Sequence, residues 1–168
     1  MSQRKPADPL RLEIVDYHNP HQANALVTLL NSYALHPMGG GKALAESVRR
    51  ELPERLAALP HAFSILAYQD DQAIGLANCF DGFSTFSAQP LINIHDLIVA
   101  EEFRGQGVAQ QLLGKIEAIG RAKGCGKITL EVLSNNASAQ TAYRKFGFQG
   151  YELAPEAGQA LFWQKPLI

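Results

Sequence analysis

The amino-acid sequence predicts a single α/β domain in which helices cover both faces of a mixed β-sheet. Three observations carry this prediction: a length of 168 residues, a composition that is 46% hydrophobic and 18% charged, and strand-like segments that alternate with helical ones. Such a chain suits one globular domain with a sizeable core and not a disordered protein. Residues 1–9 are polar and predict a flexible tail, so we assign the domain to residues 10–168.

The N-terminal half of the chain predicts a strand, two helices and then further strands. Asn19 before Pro20 is typical of a helix start, because Asn caps the first turn and Pro fits its backbone. Pro53 falls inside the second helical pattern and should kink that helix or split it in two. We predict a strand at 10–15, a helix after Asn19, a helix at 42–59, strands at 63–68 and 73–80, a polar and aromatic loop at 81–90, and a strand at 91–99.

The C-terminal half predicts two helices among further strands. Val108, Leu112 and Ile116 recur at helical spacing and predict a helix that ends near Gly124. The other predicted elements are a strand at 127–133, a short helix at 137–146 capped by Asn135 or Asn136, and strands at 148–153 and 160–166. This order of strands and helices gives a mixed sheet with helices on its faces.

Charge and cysteine content narrow the classes of function. The formal net charge is −1 and no basic block is present, so the sequence indicates neither a nucleic-acid surface nor attraction to an anionic membrane. The apolar runs are shorter than the roughly 18 residues of a membrane span. Cys79 and Cys125 have no partner at metal-binding spacing, so we expect no metal, two reduced thiols and a cytoplasmic protein.

A glycine-containing turn between strand 91–99 and the next helix is the strongest functional signal. Glycines let a ligand approach the main chain, and the first amides of a helix lack internal partners and favour phosphate oxygens. The segment does not complete the dinucleotide-binding pattern, and the separate glycine run at 38–43 does not complete a Walker loop. An ordinary tight turn is the alternative for the segment. The predicted binding residues are Arg104, Gly105, Gln106, Gly107, Val108, Ala109 and Gln110.

A second motif lies on the short helix at 137–146. It joins Asn136, Ala139 and Tyr143 to the pair Gly147-Phe148. The Tyr143 phenol can donate a proton to a leaving group, or it can simply pack against the core. Asn136 can cap the helix, contact a ligand, or do both.

In combination, the turn at 104–109, the strand after it and the motif at 136–148 resemble the GNAT superfamily of acetyl-CoA-dependent N-acetyltransferases. The resemblance is strong over residues 62–150, and parts of 74–99 are similar to polyamine acetyltransferases. It implies a GNAT-like, mostly antiparallel sheet and a homodimer. It also implies direct transfer of acetyl from acetyl-CoA, without a metal, to a primary amine.

The resemblance further implies roles for individual residues. The amides of the turn would hold the pyrophosphate of acetyl-CoA, and the main chain of Ile98 and Val99 would bind the pantetheine arm. That arm would lie like an added strand between strands 91–99 and 127–133, which splay apart. Tyr143 would face the thioester sulfur and donate a proton or a hydrogen bond to the departing thiolate.

A base must take a proton from the amine, because an alkylamine with a pKa of about 10.4 is almost wholly protonated at pH 7. His95 and Asp96 are the candidates, just before the stretch that would bind pantetheine. Strand alternation points them to opposite faces unless a bulge intervenes. Histidine has the more suitable intrinsic pKa, but we favour Asp96, whose charge would attract a cationic amine. A purely structural carboxylate is the alternative for Asp96.

The acceptor is the least specified part of the prediction. The loop at 80–86 contains three Phe residues and Asp81, and it would form one wall of a site for an amine on an apolar or polyamine chain. Its Phe residues could instead anchor the loop in the core. We expect a small-molecule amine or polyamine as acceptor. The alternatives are a protein lysine or N-terminus, and a non-catalytic module that senses acetyl-CoA.

Overall fold

The computed structural model describes residues 10–151, 154–158 and 160–167, so the predicted tail at 1–9 lies outside the described residues. Within them, five strands form one sheet and four helices pack on it. The strands are β1 (Arg11–Ile14), β2 (Ala62–Gln69), β3 (Gln72–Ser84), β4 (Gln89–Val99) and β5 (Lys127–Leu130). The helices are α1 (Pro20–Leu35), α2 (Glu46–Ala57), α3 (Val108–Ala122) and α4 (Ala137–Phe146), with short 3-10 turns at Pro37–Gly39, Glu101–Phe103 and Pro155–Ala157.

The sheet has the strand order β1-β2-β3-β4-β5. The pairs β1–β2, β2–β3 and β3–β4 are antiparallel, and β5 runs parallel to β4. This arrangement confirms the predicted mixed, mostly antiparallel sheet. A parallel pair needs a crossover connection, which α3 provides here. The crossover begins at the carboxyl end of β4, where the glycine turn lies.

Each face of the sheet packs on two helices, because strand residues alternate between the faces. In β2, Ile65 belongs to a buried cluster with residues of α3 and α4, whereas its neighbour Leu66 belongs to a cluster with residues of α1 and α2. Both side chains are fully buried. We call the second side the α1/α2 face; Leu66, Leu76 and Ile98 lie on it.

Helix α2 starts later than predicted and continues through a proline. It runs over Glu46–Ala57 instead of 42–59, and Pro53 lies inside it, so the predicted split is wrong. Pro53 has no N–H to donate to the carbonyl of Arg49, and an interior proline costs about 3 kcal/mol relative to Ala. Burial of Leu56 on the α1/α2 face offsets part of that cost and helps hold the helix together.

We expect Pro53→Ala to stabilise the protein, because Ala restores the missing donor and relieves the clash with the preceding turn. The gain should be about 1–2 kcal/mol once the greater freedom of the unfolded chain is subtracted, and Tm should rise by about 3–6 °C. Thermal unfolding followed by circular dichroism measures the shift. Pro60→Ala, outside the helix, is the control, and an unchanged or lower Tm for Pro53→Ala would contradict the expectation.

The hairpin of β3 and β4 is longer than predicted. Residues 81–90, expected as a loop, mostly continue the two strands, and the turn spans only 85–88. The pairing extends to Ser84 opposite Gln89. This end of the hairpin lies beyond the core, and Phe86 is 94% exposed. Its polar and aromatic composition therefore reflects exposure to solvent and not the absence of a strand.

The two strands predicted after α4 differ from the structure. Residues 148–151 and 160–166 form no strand, and the rest of the first prediction, 152–153, lies outside the described residues. An alternating pattern becomes a strand only where a partner strand supplies hydrogen bonds, and none does so within the described part of the chain. Four large apolar side chains of this end are exposed: Leu161, Phe162, Trp163 and Leu167.

Candidate active site

Strands β4 and β5 are neighbours over a short stretch and then part. Their parallel register runs from Leu91 opposite Lys127 to Ile94 opposite Leu130. β5 ends at that point, before its predicted end at 133, whereas β4 continues to Val99. The end of β4 therefore has one edge that no strand covers within the described residues. Such an edge can accept an extended, amide-containing ligand.

A cavity of about 630 Å³ lies beside this uncovered part of β4. It joins the end of β4, the glycine turn, the first turn of α3, one side of α4 and the end of α1. Its volume is within the range of small-molecule sites. The predicted cofactor residues that line it are Ile98, Val99, Arg104, Gly105, Gly107, Val108, Ala109, Gln110, Asn136 and Tyr143. Gln106 does not line it, and its side-chain amide donates to the carbonyl of Glu102 at 2.9 Å.

The glycines of the turn are required by its backbone conformation. Gly105 has φ 73° and Gly107 has φ 85°, both in the left-handed region that side chains rarely adopt. A Cβ built on either glycine meets no atom within 4 Å, so the space in front of the turn is open. Successive backbone N–H groups in such a turn form a concave site for an anion.

The start of α3 adds free amides to this turn. Gly107 is the N-cap residue, makes no side-chain cap, and is followed by a first turn without acidic residues. The first N–H groups of the helix therefore point outward with the positive end of the helix dipole. Arg104 fixes the turn to β4, because its Nε donates to the carbonyl of Val99 at 3.2 Å. These features fit a pyrophosphate group.

Helix α4 contributes the second motif to the cavity. The side chain of Asn136 caps the helix by accepting a hydrogen bond from the N–H of Ala139 at 3.2 Å. Tyr143 is half-buried, and its ring packs against Phe148 with centroids 5.9 Å apart. Burial, and to a lesser degree the Tyr33 phenol, raises the pKa of Tyr143. The phenol therefore stays protonated at neutral pH and can act as a donor.

The end of α1 supplies lining residues that the sequence did not predict. Tyr33, His36 and Met38 line the cavity together with residues of α4. The Tyr33 hydroxyl donates to the carbonyl of Met38 at 3.3 Å, and Nδ1 of His36 accepts from the N–H of Met38 at 3.2 Å. With the second bond, His36 caps the 3-10 turn at Pro37–Gly39. The sequence feature that could have indicated this role is Pro37, because a proline breaks the helix and lets these residues turn toward a site.

His95 and Asp96 do not alternate between the faces of β4, because a β-bulge intervenes. The register between β3 and β4 shifts after Asn78, which pairs with Asp96, and His95 has no partner in β3. A bulge of this kind adds one residue to a strand and interrupts the alternation of its side chains.

Both candidate bases are on the α1/α2 face. The Asp96 carboxylate accepts a hydrogen bond from Nδ2 of Asn78 at 2.9 Å. The His95 ring lies near-perpendicular to the ring of Phe80, which packs on this face, with centroids 5.7 Å apart. Neither His95 nor Asp96 lines the cavity, but Ile98, two residues after Asp96 and on the same face, does.

The turn, the open strand edge and α4 all lie within a segment that matches a known protein family. Residues 26–148, well over half of the chain, match the model of the acetyltransferase (GNAT) family. The chain belongs to this family. The resemblance inferred from the motifs is thereby confirmed, and the protein is an acyltransferase of a family that uses acetyl-CoA.

Relatives of this GNAT acetyltransferase include enzymes named for different amines. An aminoglycoside N(6')-acetyltransferase type 1 of Salmonella typhimurium is 26% identical over 115 residues, which cover 67% of this chain and 75% of the relative. A thialysine N-epsilon-acetyltransferase of Bos taurus is 30% identical over 76 residues, which cover 45% of this chain and 44% of the relative.

Solved structures support the GNAT fold over nearly the whole chain. A probable acetyltransferase has a TM-score of 0.77 at 23% identity and covers 93% of this chain and 98% of its own. An aminoglycoside N-acetyltransferase in complex with CoA has a TM-score of 0.74 at 20% identity and covers 94% and 95%. At these identities the likeness shows the fold.

Two further features of the GNAT chain concern membranes and metals. In the described residues, no helix is long and apolar enough to cross a membrane. The same residues contain no group of three or more His, Cys, Asp or Glu side chains placed to hold a metal ion.

Proposed function

We propose that this protein transfers acetyl from acetyl-CoA directly to the primary amine of a small molecule within a ternary complex. The observation that carries the proposal is the single cavity shared by the glycine turn, the uncovered edge of β4 and Tyr143. A phosphate site and an amide-binding edge can hold acetyl-CoA, and a proton donor beside them can assist the departing thiolate.

In this proposal, main-chain groups bind the cosubstrate acetyl-CoA. The amides of Gly105 to Gln110 hold the pyrophosphate, and Arg104 fixes the turn. The main chain of Ile98 and Val99 binds the pantetheine amides along the uncovered edge of β4. Asn136 caps α4 and orients it beside the same cavity. Gln110 joins α3 to α4, because its Nε2 donates to the carbonyl of Ala142 at 2.9 Å.

Side chains near the end of β4 and on α4 carry out the proton transfers. Acetyl-CoA supplies a thioester carbon that bonds to the amine nitrogen as the carbon–sulfur bond breaks. Asp96, or His95 beside it, takes the proton from the amine through water, since neither residue lines the cavity. Tyr143 gives a proton or a hydrogen bond to the sulfur, and its raised pKa keeps the phenol protonated until then.

Direct transfer is preferred to a covalent acyl-enzyme. Cys79 is buried, and burial raises the pKa of its thiol to about 12. A protonated, buried thiol is a poor nucleophile. Neither Cys79 nor Cys125 lines the cavity, so the amine itself is the attacking group.

A small, cationic amine is the acceptor that this site supports best. Asp96 places a carboxylate on the face of β4 that leads to the cavity, and an anion there attracts a protonated amine. The relatives that are named for aminoglycosides and thialysine point to the same class. A protein lysine or N-terminus, and a non-catalytic sensor of acetyl-CoA, are the two rival functions.

A panel of amines separates these functions. Thiol release from acetyl-CoA is measured with polyamines, aminoglycosides, free amino acids and lysine peptides, beside a titration of acetyl-CoA binding. We expect turnover with polyamines or aminoglycosides and little with peptides. Turnover with peptides alone would indicate that the protein acetylates other proteins. Tight binding of acetyl-CoA without turnover would make the protein a sensor.

We also propose that the protein is a cytoplasmic homodimer. Leu161, Phe162 and Trp163 are 73%, 80% and 83% exposed, and contiguous apolar surface of this kind commonly marks a protein interface. Light scattering after size exclusion should give about twice the chain mass of 18.3 kDa. A variant that combines Phe162→Asp with Trp163→Asp should give the single mass while the protein stays folded. A monomeric wild type would contradict the proposal.

A further inference from the structure

A chain of hydrogen bonds crosses the sheet from β1 to the proposed base. The Tyr17 hydroxyl, just after β1, lies 2.9 Å from Oγ of Ser64 in β2. Ser64 Oγ donates to Oδ1 of Asn78 in β3 at 2.6 Å, and Asn78 Nδ2 donates to Oδ2 of Asp96 in β4 at 2.9 Å. Ser64 and Asn78 are buried, with exposures of 1% and 4%.

The donors of this chain point in one direction. Ser64 has a single hydroxyl proton, and Asn78 Oδ1 receives it, so Tyr17 is the donor to Ser64. The Asn78 amide accepts with its oxygen and therefore presents its NH₂ group to Asp96. Burial raises the pKa of the Tyr17 phenol, which keeps this first donor protonated. Bonds that donate in sequence polarise and strengthen one another.

The bulge in β4 places Asp96 at the end of the chain. Asn78 lies between Ser64 in β2 and Asp96 in β4 as their paired neighbour, and the register shifts immediately after it. If the register of the hairpin continued past Cys79 and Ile94 without a bulge, His95 and not Asp96 would lie opposite Asn78. One carboxylate oxygen of Asp96 is thus fixed, and Asn78 is its only hydrogen-bond donor among the described residues.

The stability of the fold gives little reason for placing this polar pair in the core. Buried Ser64 and Asn78 lie on the α1/α2 face between apolar neighbours such as Leu66 and Leu76. Replacing a hydrogen-bonded buried pair by apolar residues of similar shape is often neutral or stabilising. Unlike apolar residues, the polar pair provides a hydrogen-bond donor that is held in place and directed at Asp96.

We propose that Asn78, held by Ser64 and Tyr17, is a positioning residue that fixes the Asp96 carboxylate for proton removal from the acceptor amine. The inference rests on the proposed function and on Asp96, of the two candidate bases, taking the proton. Asn78 does not line the cavity and acts only through Asp96.

A double-mutant cycle tests the coupling. Turnover with the best amine of the panel and the Kd of acetyl-CoA are measured for wild type, Asn78→Ala, Asp96→Asn and the double variant. Asn78→Ala should lower kcat about tenfold and leave the Kd of acetyl-CoA within about twofold. In the Asp96→Asn background the same substitution should change kcat by less than about twofold, because its target is already lost.

A milder variant keeps the test valid if Asn78→Ala unfolds. Tyr17→Phe removes one hydroxyl at the far end of the chain and should lower kcat about twofold to threefold with Asp96 present, but not in the Asp96→Asn background. Tyr68→Phe, in the same sheet and without a hydrogen-bonded hydroxyl among the described residues, is the control and should leave kcat unchanged.

The outcomes separate the two claims. Equal losses of kcat from Asn78→Ala in both backgrounds would overturn the positioning role and leave Asp96 as the base. An Asp96→Asn variant with wild-type kcat would refute the base assignment and this inference with it. Whether the wild type transfers acetyl is measured separately, by thiol release in the panel of amines.

Discussion

Gly107→Glu is expected to abolish binding of acetyl-CoA, with a Kd raised at least about 100-fold. Gly107 has φ 85° and caps α3, and the space in front of it is open. A carboxylate in that space would occupy the proposed pyrophosphate site and repel the phosphates. Isothermal titration with acetyl-CoA measures the loss.

Gly124→Glu is a matched control for that change. Gly124 lies just beyond the other end of α3, has φ 70° and also faces open space. Both variants therefore carry a similar strain of about 1 kcal/mol, but Gly124 does not line the cavity. We expect Gly124→Glu to bind acetyl-CoA like the wild type. Retained tight binding by Gly107→Glu would refute the assignment of the turn to the pyrophosphate.

Tyr143→Phe is expected to lower kcat about 100-fold and to leave the Kd of acetyl-CoA within about twofold. Phenylalanine keeps the ring contact with Phe148 but removes the hydroxyl that we propose as the donor to the departing thiolate. Burial raises the pKa of the Tyr143 phenol, so the wild type holds the phenolic proton to a higher pH than a free phenol does. Steady-state thiol release measures kcat.

Tyr68→Phe is the control for the loss of a phenol in this fold. Burial raises the pKa of the Tyr68 hydroxyl as well, but the residue lies in β2 and away from the cavity. Its kcat should equal that of the wild type. If Tyr143→Phe also turned over at the wild-type rate, Tyr143 would have no part in the proton transfers.

The parts of the site that could be predicted from the sequence are those with local causes. The glycines at 105 and 107 are needed for left-handed backbone, and Asn136 caps a helix, so each is visible in a few consecutive residues. The gap between β4 and β5 followed from the family resemblance. The structure then places these segments around one cavity, although they lie tens of residues apart along the chain.

The parts that could not be predicted depend on contacts between distant strands. The bulge at His95 exists only relative to the register with β3, which the sequence of β4 alone does not determine. Ser64 and Asn78 looked like ordinary strand residues, because their hydrogen bonds join three strands. The C-terminal pattern at 160–166 predicted a strand, but no partner strand pairs with it among the described residues.

Amine-dependent release of the CoA thiol decides whether the protein is a transferase. It is measured as initial rates while acetyl-CoA and the best amine of the panel are both varied. Direct transfer in a ternary complex predicts one thiol released for each acetylated amine found by mass spectrometry, and double-reciprocal lines that intersect. Parallel lines with an acetylated protein would contradict direct attack by the amine. Tight binding of acetyl-CoA with no amine-dependent release would contradict the transferase function itself.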